Sequence, residues 1–383
     1  MSERAQSDID EAVMLPAGWT VCRSVRRPDL VYYVHQETGK RQWQRPDCIG
    51  TSDDDNSTEA EAACRSHYNR QARERRHERQ QSPIIELRRA NNRVKQHIIE
   101  QALCFAKQVV EQTQGERPSP RPIVVLELGC GKGGDLHKYG AWSLQYRTPV
   151  ELYAIDISDD SIDEMQRRWR TLDKRFPYLQ VRCAVGDFCA AENADLPADW
   201  PVADIVSVQF ALHYAFESAA KARRFGDNVA RALAWRNSLL IGTVVDHSTL
   251  VQRLLQAERS ATKLTFGNDL YSVCMPVADL QRLCRAADTK SESLYGIGYD
   301  MSLHGCLEAC REFLVVKDEL DRLFAVLGLD CGEYTPFACF EQHRRLSPAE
   351  IDAHNLYAAF CYRRPIDLSA EADCSDESDR SSD

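Results

Sequence analysis

The chain has 383 residues, 43% of them hydrophobic, and a formal net charge of −10. No apolar run reaches the ~18 residues of a membrane span, and the polar start MSERAQSDIDE lacks the apolar stretch of a signal peptide. Fifteen cysteines, odd in number and without a Cys-x-x-Cys pair, fit free thiols in a reducing compartment rather than a disulfide scaffold or a metal cluster.

The charge is concentrated in two stretches. TSDDDNSTEAEAA (51–63) has five acids and no base, and EADCSDESDRSSD (371–383) has six acids against one arginine, so each carries about −5. The remainder is nearly neutral, with an arginine-rich stretch, RSHYNRQARERRHERQ, at 65–80. A neutral body with a basic segment permits an anionic partner without demanding one.

Residues 13–48 form a compact, aromatic, arginine-rich module, and 49–64 read as an acidic disordered linker. Residues 65–365 carry the pattern of one globular domain, followed by an acidic, serine-rich disordered tail at 366–383. Within the domain, IVVLELG (123–129) predicts a buried strand, and a helix follows from about Gly133. ELYAIDI (151–157) is a second strand, and SDDSIDEMQRRWRTLDKRF (158–176) opens on cap residues and continues as a helix. YLQVRCAVGD (178–187), DIVSVQF (204–210) and LLIGTVV (239–245) supply three more strands, with a helix near 217–234. Segment 276–293 gives no assignable signal, and the stretch around Cys306 and Cys310 reads as helix-like. Alternating strands and helices predict an α/β fold with a mainly parallel sheet, whose ligands belong at the carboxyl ends of the strands.

Gly129, Gly131 and Gly134 fit the Gly-x-Gly-x-x-Gly pattern of a loop that lets backbone approach a nucleotide. Asp156 ends the next strand, where a carboxylate can grip ribose hydroxyls. These features suit a nicotinamide dehydrogenase or a methyltransferase using S-adenosylmethionine. Two further features favour the methyltransferase: Asp187 in VGDF, placed to accept an adenine amino group, and the polar aromatic stretch QFALHYAFE (209–217) after the fourth strand.

LELGCGKGGDLHKYG (126–140) together with QFALHYAFES (209–218) resembles the eukaryotic mRNA cap guanine-N7 methyltransferases. The resemblance extends to HYN (67–69), SPIIELRRANNRVKQHII (82–99), FGNDLYSV (266–273), GYD (298–300), REFLV (311–315) and LYAAF (356–360). It implies a class I methyltransferase fold, with a mainly parallel seven-stranded sheet and helices on both faces. It also implies methyl transfer from S-adenosylmethionine to N7 of the guanine in Gppp-capped RNA. Carried over by position, Lys95 would meet the methionine carboxylate, Gly129 the cofactor at the loop, Asp156 the ribose and Asp187 the adenine, while Gln209 and Tyr214 approach the methionine end. Asn91 and Asn92 would lie beside the RNA, with Lys132, Lys138 and Arg168 near phosphates or ribose. His213, Glu312 and Tyr357 would embrace the guanine. On its own, Glu312 reads as an exposed helix residue. His213 and Tyr214, adjacent at a strand end, would point to different faces. Where relatives carry a proline, this chain has Val245, an apolar wall of another shape.

Guanine N7 bears a lone pair and no proton, so its methylation needs no general base. The site residues are therefore expected to position and polarise rather than to move protons. Two other readings compete: a methyltransferase of the same fold acting on another base or on protein, and a scaffold whose catalytic domain has decayed. The first finds no Asn-Pro-Pro-Phe/Tyr motif in the chain, and the second conflicts with the intact loop and carboxylates.

LPAGWTVCRSVRRPDLVYYVHQETGKRQWQRP (15–46) resembles a WW domain, a small three-stranded antiparallel module. Trp19, Tyr33 and Pro46 would form its buckle, and Tyr32 and Trp43 the groove for a proline-rich peptide. His35-Gln36 replaces the usual Asn-His pair. Arg23, Arg26 and Arg27 around Ser24 suit a phosphate beside proline, as in the phosphorylated carboxyl-terminal repeats of RNA polymerase II. An unphosphorylated proline-rich partner is the alternative ligand. The implied function places the protein in the nucleus.

Overall fold

The computed structural model describes residues 19–23, 31–36, 41–42, 82–113, 121–190, 202–233, 237–289, 294–304, 307–340 and 345–365. The chain divides into two compact units, residues 1–63 and 64–383. In the first, strands β1 (Trp19–Arg23), β2 (Val31–His35) and β3 (Arg41–Gln42) form an antiparallel sheet in sequential order. Trp43, Pro46, Arg26 and Arg27 lie outside the described residues, as do 65–80, the linker and the tail.

The second unit opens with α1 (Ile85–Thr113). Then alternate β4 (Ile123–Leu128), α2 (Leu136–Tyr146), β5 (Val150–Asp156), α3 (Asp159–Leu172), β6 (Leu179–Val185), β7 (Ile205–Gln209), α4 (Ala219–Ala232) and β8 (Leu239–Val245). After α5 (His247–Leu255) come β9 (Glu258–Arg259), β10 (Lys263–Asn268), β11 (Tyr271–Pro276), α6 (Val277–Thr289), β12 (Gly298–Leu303) and β13 (Leu307–Phe313). The unit ends with α7 (Lys317–Val326), β14 (Asp330–Pro336), α8 (Pro348–His354) and β15 (Tyr357–Arg363).

The main sheet has seven strands in the order β14-β15-β8-β7-β4-β5-β6. The central strands pair in parallel, and β15 runs antiparallel to both its neighbours. This topology is that of a class I S-adenosylmethionine-dependent methyltransferase. Both faces of the sheet are covered, so β4 is apolar but for Glu127 and β8 but for Thr243. Val125, Leu152 and Ile205 face a core shared with α1, α2 and α3, including Leu103, Tyr139 and Met165. Their neighbours Leu126, Tyr153 and Val206 face the opposite core, with Phe225 of α4 and Phe324 of α7. Serine caps fix two helix starts: Ser158 Oγ accepts from Ser161 N, and Ser218 Oγ from Lys221 N.

Two expectations are corrected. The helix after β4 begins at Leu136 rather than near Gly133, because Gly129, Gly131 and Gly133 all hold positive φ (71°, 51° and 67°) outside the helical region. The stretch around Cys310 is a strand, not a helix: β12 and β13 pair antiparallel in a second sheet, β13-β12-β11-β10-β9, not expected from the sequence, and Cys306 lies outside the described residues. Segment 276–293, left unassigned, contributes the last residue of β11 and the helix α6.

Candidate functional site

The loop after β4 turns back on the end of β5: Gly129 and Cys130 both donate their amides to the Ile155 carbonyl, at 2.9 and 3.0 Å. Asp156 caps the arrangement, accepting from Gly131 N at 2.7 Å through Oδ2 and from Ser158 N at 2.9 Å through Oδ1. Burial pushes the Asp156 carboxyl up, and those two amides pull it back. The glycines have distinct tasks. A methyl on Gly129 would sit 2.6 Å from Ala211 Cβ, and one on Gly133 would sit 2.7 Å from Leu136 and Met165 atoms. A methyl on Gly131 would meet no protein atom within 4 Å. That leaves open space beside half-buried loop backbone, with Asp156 next to it. Asp187, at the end of β6, is half-buried and accepts from Cys189 N at 2.8 Å.

A buried charge cluster lies behind the loop. Asp135 takes Lys95 Nζ at 2.8 Å on one carboxylate oxygen and Lys138 Nζ at 2.6 Å on the other. Lys138 also donates to Asn92 Oδ1 at 3.0 Å, which occupies its ammonium inside the fold. Burial opposes the charged form of Asp135, yet the two lysines override it and hold the carboxyl well below the usual carboxylate range. Glu127 of β4 is 2% exposed, and one of its oxygens has no hydrogen-bond partner among the described residues. Burial first and Asp135 second push its carboxyl well up, against the pull of Lys95 and Lys138. The two acids are thus driven in opposite directions, Glu127 toward its protonated form and Asp135 toward its charged form. Neither acid was assigned a role from sequence, although both flank the glycine motif.

The end of β7 supplies the opposite wall. The Gln209 amide is held between Ser207, which accepts at 3.1 Å, and Thr243, which donates at 3.3 Å. Phe210 adopts φ +55°, which costs a residue with a Cβ about 1–2 kcal/mol. Its amide is secured by Thr243 Oγ1 at 3.0 Å, and its ring lies edge-on to Tyr357 at 5.0 Å and near Lys95 Nζ at 5.9 Å. This unusual backbone is what turns the chain into the 3-10 segment Leu212–Glu217. There His213 and Tyr214 do not point apart as expected: their rings are in contact, with centroids 4.0 Å apart.

Glu312 stands on β13, buried, not on an exposed helix. Tyr299 of β12 is its cross-strand partner and donates its hydroxyl to Oε2 at 2.7 Å. His213 feels this carboxylate, but burial is stronger and lowers the imidazole below its ordinary value. The Nε2 of His213 is buried without a hydrogen-bond partner among the described residues. Tyr214 Oη lies 4.0 Å from the Cys310 thiol on the same strand as Glu312. Tyr357 is buried opposite Val245, its partner in the sheet register. Asn91 Oδ1 meets His354 Nδ1 at 2.6 Å. Arg168 pairs with Glu164 at 3.3 Å along α3, half-buried, and Lys132 is half-buried in the loop. The contacts thus gather Lys95, Gly129, Asp156, Gln209 and Lys138 around the glycine loop, and His213, Tyr214, Glu312 and Tyr357 beside it.

The mRNA (guanine-N(7))-methyltransferase domain matches residues 51–345. The chain is similar to the mRNA cap guanine-N(7) methyltransferase of Schizosaccharomyces pombe, at 32% identity over 88% of this chain and 89% of that one. It is 34% identical to the proteins of the same name from Eremothecium gossypii and Saccharomyces cerevisiae, over 72% of this chain and 59% and 58% of theirs.

Proposed function

Because the chain belongs to the mRNA (guanine-N(7))-methyltransferase family, we propose that it methylates N7 of the terminal guanine in Gppp-capped RNA, with S-adenosylmethionine as donor. The observation that carries this reading is the joining of two half-sites: a glycine loop opening on free space, and a buried Glu312 facing His213. When bound, S-adenosylmethionine supplies a methyl group made electrophilic by its sulfonium. The loop backbone, Asp156 and Asp187 would hold its nucleoside, and Lys95, Gln209 and Tyr214 its methionine end.

The remaining work is alignment. A well-oriented pair of reactants can save up to ~7–11 kcal/mol in model systems, and N7 asks for no base. Glu312 can accept the N1–H and the N2 amino hydrogens of guanine together, worth roughly 1–3 kcal/mol of discrimination. Its charge also favours a base that becomes cationic on methylation. His213 enters as a neutral imidazole with one nitrogen to spare. Asn91, Asn92, Lys132, Lys138 and Arg168 belong to the RNA side in this reading, with Lys138 acting through Asn92 and Asp135. The test is labelled S-adenosylmethionine with RNA ending in Gppp, ppp or an already methylated cap. Label in Gppp-RNA alone supports the reading; label in none of them, with cofactor still bound, refutes it.

Residues 13–48 are, on the same footing, a WW domain that tethers the enzyme to a proline-rich partner. The three antiparallel strands and the Tyr32, Trp43 and arginine pattern support this. A phosphorylated polymerase repeat is the favoured ligand, which points to the nucleus, and tethering would raise local concentration without altering chemistry. Titration with phosphorylated and plain peptides decides it: equal affinity for both ends the phosphate-reading idea.

A further inference from the structure

Glu312 can satisfy both guanine donors only if its two oxygens lie in the plane of the base. The terminal torsion of a glutamate is broad, so the side chain alone does not set that plane. One contact in the structure does. Tyr299 faces Glu312 directly across the β12–β13 pair, and its hydroxyl donates to Oε2 at 2.7 Å. Its ring is fully buried and packed in the core that also holds Met275, Met301 and Tyr357, so the hydroxyl cannot follow a rotating carboxylate. Oε2 keeps a second lone pair for a ligand after accepting this bond.

We propose that Tyr299 is the positioning residue that sets base specificity: its hydroxyl locks the Glu312 carboxylate in the orientation that spans N1–H and the N2 amino group of guanine. The proposal rests on the reading of Glu312 as the guanine contact. Tyr299 itself touches no reacting atom. Removing its hydroxyl frees the carboxylate to turn, and the two-point contact degrades toward a one-point contact. A base offering only N1–H loses less from that change.

The experiment compares RNA capped with guanosine and with inosine, which lacks the N2 amino group, using wild-type chain, Tyr299→Phe, Glu312→Ala and the double variant. The wild type is expected to favour guanosine by ~10-fold or more in kcat/KM. Tyr299→Phe should lower kcat/KM on the guanosine cap about 10-fold, mainly through KM, and shrink the preference several-fold. Affinity for S-adenosylhomocysteine should stay unchanged, which reports an intact fold. In the Glu312→Ala background, Tyr299→Phe should cost nothing further. Equal losses on both caps, or a full additional loss in that background, would overturn the role of Tyr299. A wild type that does not distinguish the two caps would instead overturn the Glu312 contact, and the proposal with it.

Discussion

Asp135→Asn removes the one carboxylate bonded to two buried ammonium groups. In the folded chain burial and Asp135 push the Glu127 carboxyl well up while the lysines hold Asp135 down, so Asp135 is the main counter-charge to the two lysines. The substitution leaves Lys95 and Lys138, at 14% and 9% exposure, with one amide oxygen at position 135 and, for Lys138, the Asn92 amide oxygen. Breaking a buried pair from one side costs about 3–5 kcal/mol, because the surviving charge stays desolvated. The remaining amide acceptors put the expected loss at ~3 kcal/mol, a fall of about 5 °C in Tm for a domain as long as residues 65–365. Thermal and urea unfolding of the full chain measure it. Adding Lys138→Met should recover part of the loss, since it removes one of the two unmatched charges. A fall below about 2 °C, or a double variant weaker than Asp135→Asn alone, would refute the account of the cluster.

The loop glycines should separate stability from cofactor binding. Gly129→Ala meets Ala211 at 2.6 Å and should cost about 1–3 kcal/mol of stability, read by urea unfolding. Gly131→Ala meets no protein atom, so its strain at positive φ should cost only ~1–2 kcal/mol while S-adenosylhomocysteine affinity falls at least tenfold in calorimetry. The rate on capped RNA should be flat from pH 7 to 9. Burial pushes His213 down, so it is already neutral at pH 7, and pushes Tyr299 well up, so it still holds its proton at pH 9. Cys310, pushed up to about 11 by burial and Glu312, does not titrate in that range either. A rate rising tenfold per unit across it would reveal a general base.

How much of this was legible in the sequence follows from where the signals are local. Strands such as LLIGTVV announce themselves because a strand covered on both faces is buried at every position and so mostly apolar. The glycine loop and Asp156 are legible because a close backbone approach leaves few residue choices. The second sheet was not, since β12 and β13 mix polar and apolar residues and their pairing is a property of the hairpin rather than of either strand. Phe210 was invisible for another reason: nothing in Gln-Phe-Ala marks a phenylalanine at positive φ, which the distant Thr243 and Tyr357 contacts sustain. Asp135 and Glu127 stood in plain view but look like ordinary loop and strand acids until Lys95, forty residues before Asp135, is brought beside them. Tyr299, in the quoted Gly-Tyr-Asp, acquires meaning only from its cross-strand partner.

The most direct test of the account is the identity of the methylated product and its dependence on Glu312. Gppp-capped RNA methylated with labelled S-adenosylmethionine is digested to nucleosides, for the wild type and for Glu312→Ala. The account predicts label in 7-methylguanosine alone, and a loss of at least tenfold in kcat/KM for the variant with S-adenosylhomocysteine affinity intact. Label in any other nucleoside, or a Glu312→Ala variant that methylates the cap at the wild-type rate, would contradict it.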